Sequence, residues 1–193
     1  YQTFTKDMLR SLLISKARIR ILEKYFLNPT SNYHVRGLVR ELNEEVNAVR
    51  RELINLEECG LLKSKKDKNK LVYTLNEENP LIEELRVAFI KDSKIGKKIL
   101  DRINNIENLD AVLLTQSFFT DKHLTENDID ILFIGNARIK DIKEAISELE
   151  KDLEKELRAT AMKREDFDFA KKKKDPVITN LLSQKLVLIY GHV

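Results

Sequence analysis

Apolar residues in the first third of the chain recur at intervals of three and four positions, which is the spacing of amphipathic α-helices. The pattern predicts three helices, over 7–26, 35–42 and 44–59, and a short extended piece over 33–34. Asn43 is expected to cap the third helix and Gly60 to end it. We expect the third helix to bury five residues, which are Val46, Val49, Leu53, Leu56 and Cys59.

A β-hairpin and two further helices are predicted to follow. Strands over 61–64 and 71–75 flank a basic tip over 65–70, since the second strand is rich in residues with high strand propensity. Helices over 80–91 and 94–106 then form a connector between two domains.

The second half of the chain changes to alternating strands and helices. In chain order the pattern predicts a strand over 109–114, a strand over 129–134, a helix over 139–156, a strand over 157–163, a helix over 177–182 and a strand over 186–190. Strands that alternate with helices form a sheet covered by helices. The predicted fold class is therefore α+β, with a helical domain and hairpin over 1–79, the connector over 80–107 and a mixed sheet with helices over 108–193.

The composition is that of an ordinary globular protein. The chain has 193 residues, 42% of them hydrophobic and 35% charged, so two small cores fit but a third does not. No apolar run approaches the ~20 residues that a bilayer requires, and the first residues lack the zones of a signal peptide. We therefore expect a cytoplasmic protein without a membrane partner. A single cysteine excludes an internal disulfide and a cysteine zinc cluster.

Glycine spacing excludes two classes of nucleotide site. The chain has five glycines, and no two of them lie within 20 residues of each other. The Rossmann fingerprint and the P-loop both need several glycines within a few residues, because backbone amides must approach phosphate closely. The three histidines also lack the spacing of metal ligands, so we expect no metal site built from them.

The segment from His34 to Leu62, with the basic hairpin that follows it, resembles the winged helix-turn-helix regulators of bacteria and archaea. The resemblance implies that the third helix enters the major groove of double-stranded DNA. On its outer face, Arg50 and Arg51 would reach guanine edges or phosphates, and Asn47 an adenine edge. The hairpin would contact the DNA backbone through four lysines, which are Lys65, Lys66, Lys68 and Lys70.

A winged helix that contacts protein is the alternative for this domain. Glu44, Glu45 and Glu52 lie in the same helical segment and would repel phosphate if they faced it. The charge distribution favours DNA, because residues 1–80 carry 15 basic and 11 acidic side chains, whereas the remainder carries 20 and 21. The positive excess of the chain therefore belongs to the domain that resembles a DNA reader.

Asp128 and Asp130 form a second candidate site. On a strand the two carboxylates would share one face, because side chains alternate with period two, and such a pair can hold magnesium for nucleotidyl transfer. Together with Ser117 after the preceding strand, they resemble the minimal nucleotidyltransferase fold, whose motif is an apolar strand, Gly-Ser, a loop and Asp-x-Asp on a second strand. Nearly the whole chain resembles regulators that join a winged helix to such a domain.

Two departures from that motif indicate a degenerate site. Gln116 stands where the family has glycine, and its side chain would crowd the place where triphosphate meets backbone amides. Active members carry a third acid on the next strand, and the strand predicted over 157–163 has none. Because phosphoryl transfer depends on positioned charge, such a site should lose most of its rate. A domain that senses nucleotide or metal and a purely structural or dimerising domain both stay open.

These observations predict a homodimeric transcription regulator that binds double-stranded DNA and carries an inactive nucleotidyltransferase-like effector or dimerisation domain. Pairing is inferred from the way winged-helix regulators read two half-sites. The alternative is an active nucleotidyltransferase that modifies a protein, RNA or small molecule, with magnesium and a nucleoside triphosphate as its cofactors. A third alternative is an adaptor whose two domains both contact protein.

Overall fold

The computed structural model describes residues 13–120 and 128–193. The chain divides between Asp92 and Ser93 into two compact units. We call residues 13–92 the N-terminal unit and the described residues from 93 onward the C-terminal unit. The division falls inside the connector predicted over 80–107. None of the helices in the described residues has both the length and the apolar composition needed to cross a bilayer.

The N-terminal unit is built from four helices and one small antiparallel sheet. Its described elements are α1 (Lys16–Leu27), β1 (Tyr33–His34), α2 (Val35–Leu42), α3 (Val46–Glu58), β2 (Leu62–Asp67), β3 (Lys70–Leu75) and α4 (Ile82–Asp92). β3 is the central strand and pairs with β1 on one side and β2 on the other. The order of helix, strand, two helices and hairpin is the predicted one, and it is the arrangement of a winged helix.

The start of α1 differs from the prediction because of a capping residue. The Ser15 hydroxyl accepts a hydrogen bond from the Arg18 amide, and the helix begins at Lys16. Residues 13–15 are therefore not helical, and the first part of that predicted helix, 7–12, lies outside the described residues.

The junction of α2 and α3 also differs from the prediction. Asn43 does not cap α3 but ends α2 in the left-handed conformation, with φ 49°. Asparagine tolerates this conformation better than most residues, because its short polar side chain can hydrogen-bond locally. The chain therefore turns at Asn43, and α3 begins at Val46 rather than at residue 44.

One hydrophobic core holds the N-terminal unit together. Its buried residues come from α1 to α4 and the hairpin, and they are Ile19, Ile21, Leu22, Tyr25, Phe26, Leu38, Val49, Leu53, Leu56, Leu62, Tyr73, Leu75, Ile82 and Phe89. The Tyr25 hydroxyl donates a hydrogen bond to the Tyr73 carbonyl at 2.9 Å, which satisfies the polar atom of this buried ring. Burial raises the pKa of Tyr25 far above its ordinary value, so the ring stays neutral.

Two residues expected in this core are exposed instead. Val46 is 41% exposed at the first turn of α3, and Cys59 follows the last helical residue and is also exposed. The prediction for both residues was wrong, because the ends of the apolar stripe extend past the elements that cover the middle of the helix. Cys59 donates a hydrogen bond from its thiol to the Leu56 carbonyl at 3.4 Å.

The hairpin is longer than predicted. β2 and β3 pair as far as Asp67 and Lys70, so the basic segment predicted as a tip is mostly strand. Only Lys68 and Asn69 form the turn, with Lys68 in the left-handed conformation at φ 51°. Backbone pairing therefore continues beyond the last core-facing side chain, as it does in many exposed hairpins.

The C-terminal unit is a mixed four-stranded sheet covered by helices, which agrees with the predicted class. Its described elements are α5 (Lys94–Ile103), β4 (Leu109–Leu114), β5 (Ile131–Gly135), α6 (Ile139–Leu153), β6 (Ala159–Met162), α7 (Arg164–Lys173), α8 (Pro176–Ser183) and β7 (Val187–Gly191). The strand order is β6-β5-β4-β7, with β5 and β6 parallel and the other two pairings antiparallel. α7 and α8 cover one sheet face, and α5 packs against α6.

Helix α7 was not predicted from the sequence. Most of its residues are charged, and only Phe167 is buried in the sheet-facing core, while Phe169 is 63% exposed. A helix with a single buried residue has too short an apolar stripe to show a period of 3.6. Its C-terminal lysines lie where a helix dipole favours positive charge.

His34 caps α2, and this interaction generates a stability prediction. Its Nδ1 accepts a hydrogen bond from the Gly37 amide at 3.1 Å. We expect His34→Ala to lower the free energy of unfolding by about 1 kcal/mol, because that amide loses its acceptor. His34→Asn keeps an acceptor at the cap and should cost less than half as much. Urea unfolding of the full chain measures both variants, and equal losses would contradict the capping role.

Candidate functional site

The outer face of α3 carries the polar residues that the sequence singled out. Asn47, Arg50 and Arg51 are all exposed, while Val49 and Leu53 are fully buried on the opposite side. Among the described residues, neither arginine of this face has a carboxylate within ion-pair distance. Both guanidinium groups are therefore available to a ligand in solution.

The acidic residues that argued for a protein-contacting helix are mostly turned away from this face. Glu52 is only 7% exposed and accepts a hydrogen bond from Arg18 Nε at 2.7 Å. Glu44 accepts one from Arg20 Nη1 at 2.9 Å. Because α1 supplies an arginine to each carboxylate, their charge is neutralised within the unit. Glu45 stays exposed ahead of the first turn of α3.

The pKa of Glu52 reflects its hydrogen bonds and its ion pair with Arg18. Burial raises that pKa, but hydrogen bonds from Ser15 and Arg18, together with the Arg18 charge, outweigh burial and lower the pKa below its ordinary value. Glu52 therefore stays ionised at neutral pH. The two arginines of α1 could not be found from sequence, because no local pattern links Arg18 to a carboxylate 34 residues away.

The four hairpin lysines are all exposed, but they lie on different sides of the hairpin. Side chains alternate along a strand, so Lys66 shares a face with Ser64, which is paired with the core residue Tyr73. Lys65 lies on the opposite face, and so does Lys70, which is paired with the residue after Lys66. From the sequence, all four lysines were expected to contact the DNA backbone in the same way. The strand register places Lys66 on one face of the hairpin and Lys65 and Lys70 on the other.

Arg50 lies on the side of α3 that is nearer the hairpin. Burial raises the pKa of Tyr73 on β3, and the Glu57 carboxylate raises it further, while the Arg50 guanidinium acts in the opposite direction. A charge exerts this effect only from nearby. Arg50 and Glu57 therefore both lie near Tyr73 of β3.

The second candidate site begins with two hydroxyl groups after β4. Ser117 Oγ donates a hydrogen bond to the Ile129 carbonyl at 2.6 Å, and the Thr115 hydroxyl donates to the same carbonyl. The two hydroxyl oxygens are 2.8 Å apart. The Ser117 hydroxyl thus links the end of β4 to the segment just ahead of β5 through a hydrogen bond with the backbone.

Asp130 is completely buried and serves as a junction between neighbouring strands. Its Oδ2 accepts a hydrogen bond from the Arg158 amide at 2.9 Å, and its own amide donates to the Arg158 carbonyl at 2.7 Å. Its carbonyl accepts from the Thr115 amide at 3.0 Å. β5 begins only at Ile131, so Asp128 and Asp130 lie just ahead of the strand that was predicted to carry them. Asp128 is half-buried ahead of the same strand.

The backbone at Gln116 does not require the glycine of the motif. Gln116 has φ −63° and ψ −33°, an ordinary helical conformation, and begins a single 3-10 turn over Ser117–Phe119. Lys155 Nζ donates hydrogen bonds to two carbonyls of this turn, that of Phe118 at 2.9 Å and that of Thr120 at 3.1 Å. The segment 121–127, between this turn and Asp128, lies outside the described residues.

The third acid of the resembled motif would lie on β6. β6 carries Ala159–Met162 and no acid, as expected for the predicted third strand. Over residues 13–120 and 128–193, no three histidine, cysteine, aspartate or glutamate residues lie together as metal ligands would. Among the described residues, Ser117 and Asp130 both form hydrogen bonds with backbone groups.

The role of Asp130 generates a stability prediction. We expect Asp130→Ala to lower the stability of the C-terminal unit by about 1–3 kcal/mol, because the Arg158 amide loses its acceptor. Asp130→Asn retains a carbonyl oxygen and should cost less. If Asp130 and Asp128 instead formed an open metal-binding pair, removal of one charge would relieve repulsion and raise stability. Urea unfolding with and without magnesium distinguishes the two results.

Comparisons with known proteins give two weak structural similarities. No model of a protein family matches the chain, and no curated protein matches it. The structure of reduced HlyU from Vibrio cholerae is similar over 44% of this chain and 83% of that chain, with 20% identity and a TM-score of 0.34. Human N-acetylserotonin methyltransferase in complex with SAM is similar over 51% of this chain and 33% of that chain, with 10% identity and a TM-score of 0.30. At these scores neither similarity bears on function.

Proposed function

We propose that this chain binds double-stranded DNA as a transcription regulator, with α3 as the helix that enters the major groove. The observation that carries the proposal is the charge arrangement of α3. Arg50 and Arg51 are exposed and without an acidic partner among the described residues, whereas Glu44 and Glu52 are held by arginines of α1. A surface of this kind attracts phosphate and offers the donors that read base edges.

The residues of α3 and those of the hairpin have different roles in the proposed binding of DNA. Arg50 and Arg51 are placed to reach guanine edges or phosphates, and Asn47 to reach an adenine edge. Lys65, Lys66, Lys68 and Lys70 supply contacts to the DNA backbone, which give affinity without sequence preference. Among these four, Lys66 shares a face with Ser64, whose hydroxyl donates a hydrogen bond to Glu57 of α3 at 2.5 Å, and it should contribute more than Lys65 on the opposite face.

The C-terminal unit, in this proposal, is a nucleotidyltransferase-like effector or dimerisation domain without catalytic activity. Support comes from Asp130 Oδ2 and the Ser117 hydroxyl, which are both hydrogen-bonded to backbone atoms. Dimerisation would place two copies of α3 on successive half-sites of an operator, as winged-helix regulators commonly do.

The α3 arginines and the hairpin lysines should give different mutant phenotypes. We expect selection from random duplexes to recover a motif, and Arg50→Ala with Arg51→Ala to abolish preference for it. Lys66→Ala should weaken binding to all sequences and lower the salt slope by about 1. Lys65→Ala removes the same charge one residue away on the other face, and it should weaken binding less than Lys66→Ala does. Binding that does not depend on salt would contradict the proposal.

Catalysis by the C-terminal unit is tested separately. Incubation of the chain with labelled nucleoside triphosphates and magnesium should transfer no label to protein, RNA or small molecules, because the site lacks the charges that phosphoryl transfer needs. Transfer that Asp128→Ala removes would contradict the proposal and favour an enzyme that uses its winged helix to hold a target.

A further inference from the structure

Two aliphatic side chains lie on the exposed face of α3, beside the polar residues proposed to contact DNA. Val46 and Ile54 are 41% and 42% exposed. They lie four residues before and four residues after Arg50, and residues four apart follow one another along one side of a helix. Val46, Arg50 and Ile54 therefore form one row of alternating apolar and basic character, which we call the α3 row.

The surroundings of the α3 row distinguish it from a protein-docking stripe. Asn47 and Arg51 are exposed beside it, and Arg50 separates its two aliphatic members, so the apolar groups do not join into one patch. A helix that docks on protein presents apolar anchors that continue along its face. The major groove of DNA instead presents isolated apolar groups, the thymine C5-methyls, between hydrogen-bond acceptors on neighbouring bases. The α3 row has the complementary composition.

We propose that Val46 and Ile54 are specificity-determining residues that each contact a thymine C5-methyl group, with the Arg50 guanidinium between them. This inference rests on the proposed function, because it requires α3 to lie in the major groove. The eight residue steps from Val46 to Ile54 span about 12 Å along a helix. Base pairs are stacked about 3.4 Å apart. The two thymines should therefore lie about three or four base-pair steps apart within one half-site.

Replacement of thymine by deoxyuridine tests the proposal, because it removes only the methyl group. Each thymine of the selected duplex is replaced singly, and binding of the full chain is measured by fluorescence anisotropy. We expect two positions, three or four steps apart, at which affinity falls about three- to fivefold, the effect of losing one buried methyl. Ile54→Ala should lose the penalty at one of these positions and Val46→Ala at the other.

The controls separate a methyl contact from a general loss of binding. Leu81→Ala removes another exposed aliphatic side chain of the N-terminal unit, 62% exposed and outside α3, and should keep both penalties. Val46 and Ile54 are exposed and alanine favours helix, so both variants should unfold at nearly the wild-type temperature.

Each outcome decides the proposal. A motif without deoxyuridine-sensitive positions, or penalties that persist in both variants, would overturn the methyl contacts while DNA binding stands. Loss of a penalty in only one variant would overturn the paired contact. If no duplex is recovered at all, the proposed function fails and this inference fails with it.

Discussion

Burial of one side of α3 is the constraint on which the N-terminal unit depends. Val49, Leu53 and Leu56 are held in a core shared with α1, the hairpin and α4, so the helix cannot rotate without exposing them. Large aliphatic residues in such a core each stabilise the fold by about 1.5–3 kcal/mol. The rotation of α3 is thereby set, and the opposite face, with Arg50 and Arg51, is presented to solvent.

The same packing decides the charge of that face. α1 crosses close enough to α3 for Arg18 to bond Glu52 at 2.7 Å. Glu52 is largely buried, and removal of its partner would leave a poorly solvated charge, so this pair matters more than an exposed ion pair would. Glu52 and Glu44 are thereby paired with arginines of α1, while Arg50 and Arg51 remain exposed.

Asp130 of the C-terminal unit is buried and hydrogen-bonded to the backbone around it. The carboxylate of Asp130 could serve as a metal ligand only if water and a cation could reach it. Its Oδ2 accepts a hydrogen bond from the Arg158 amide, and the Asp130 carbonyl accepts one from the Thr115 amide. A buried carboxylate that accepts a hydrogen bond from the backbone stabilises the sheet. The spacing of Asp128 and Asp130 in the sequence does not reveal whether such a bond forms.

Helices and strands were predicted most accurately where the local pattern of apolar and turn residues is strong. α2 and β4 have the predicted bounds, because their apolar residues repeat clearly and turn residues flank them. α7 was missed because one buried phenylalanine gives no period, and the hairpin was predicted too short because backbone pairing continues after the apolar side chains end. Asn43 was assigned to the wrong helix, since asparagine favours both a helix start and a left-handed end.

The sequence by itself determined the kinds and order of the described elements other than α7, the α+β class and the polar positions on the outer side of α3. These follow from periodicity and composition, which depend on neighbours within a few residues. Only the tertiary structure decided that Glu52 is paired, that Lys65 and Lys66 lie on opposite faces, that Val46 is exposed and that Asp130 is buried. Those properties depend on which distant segment packs against each residue, and hydrogen bonds and burial across such distances leave no local pattern in the chain.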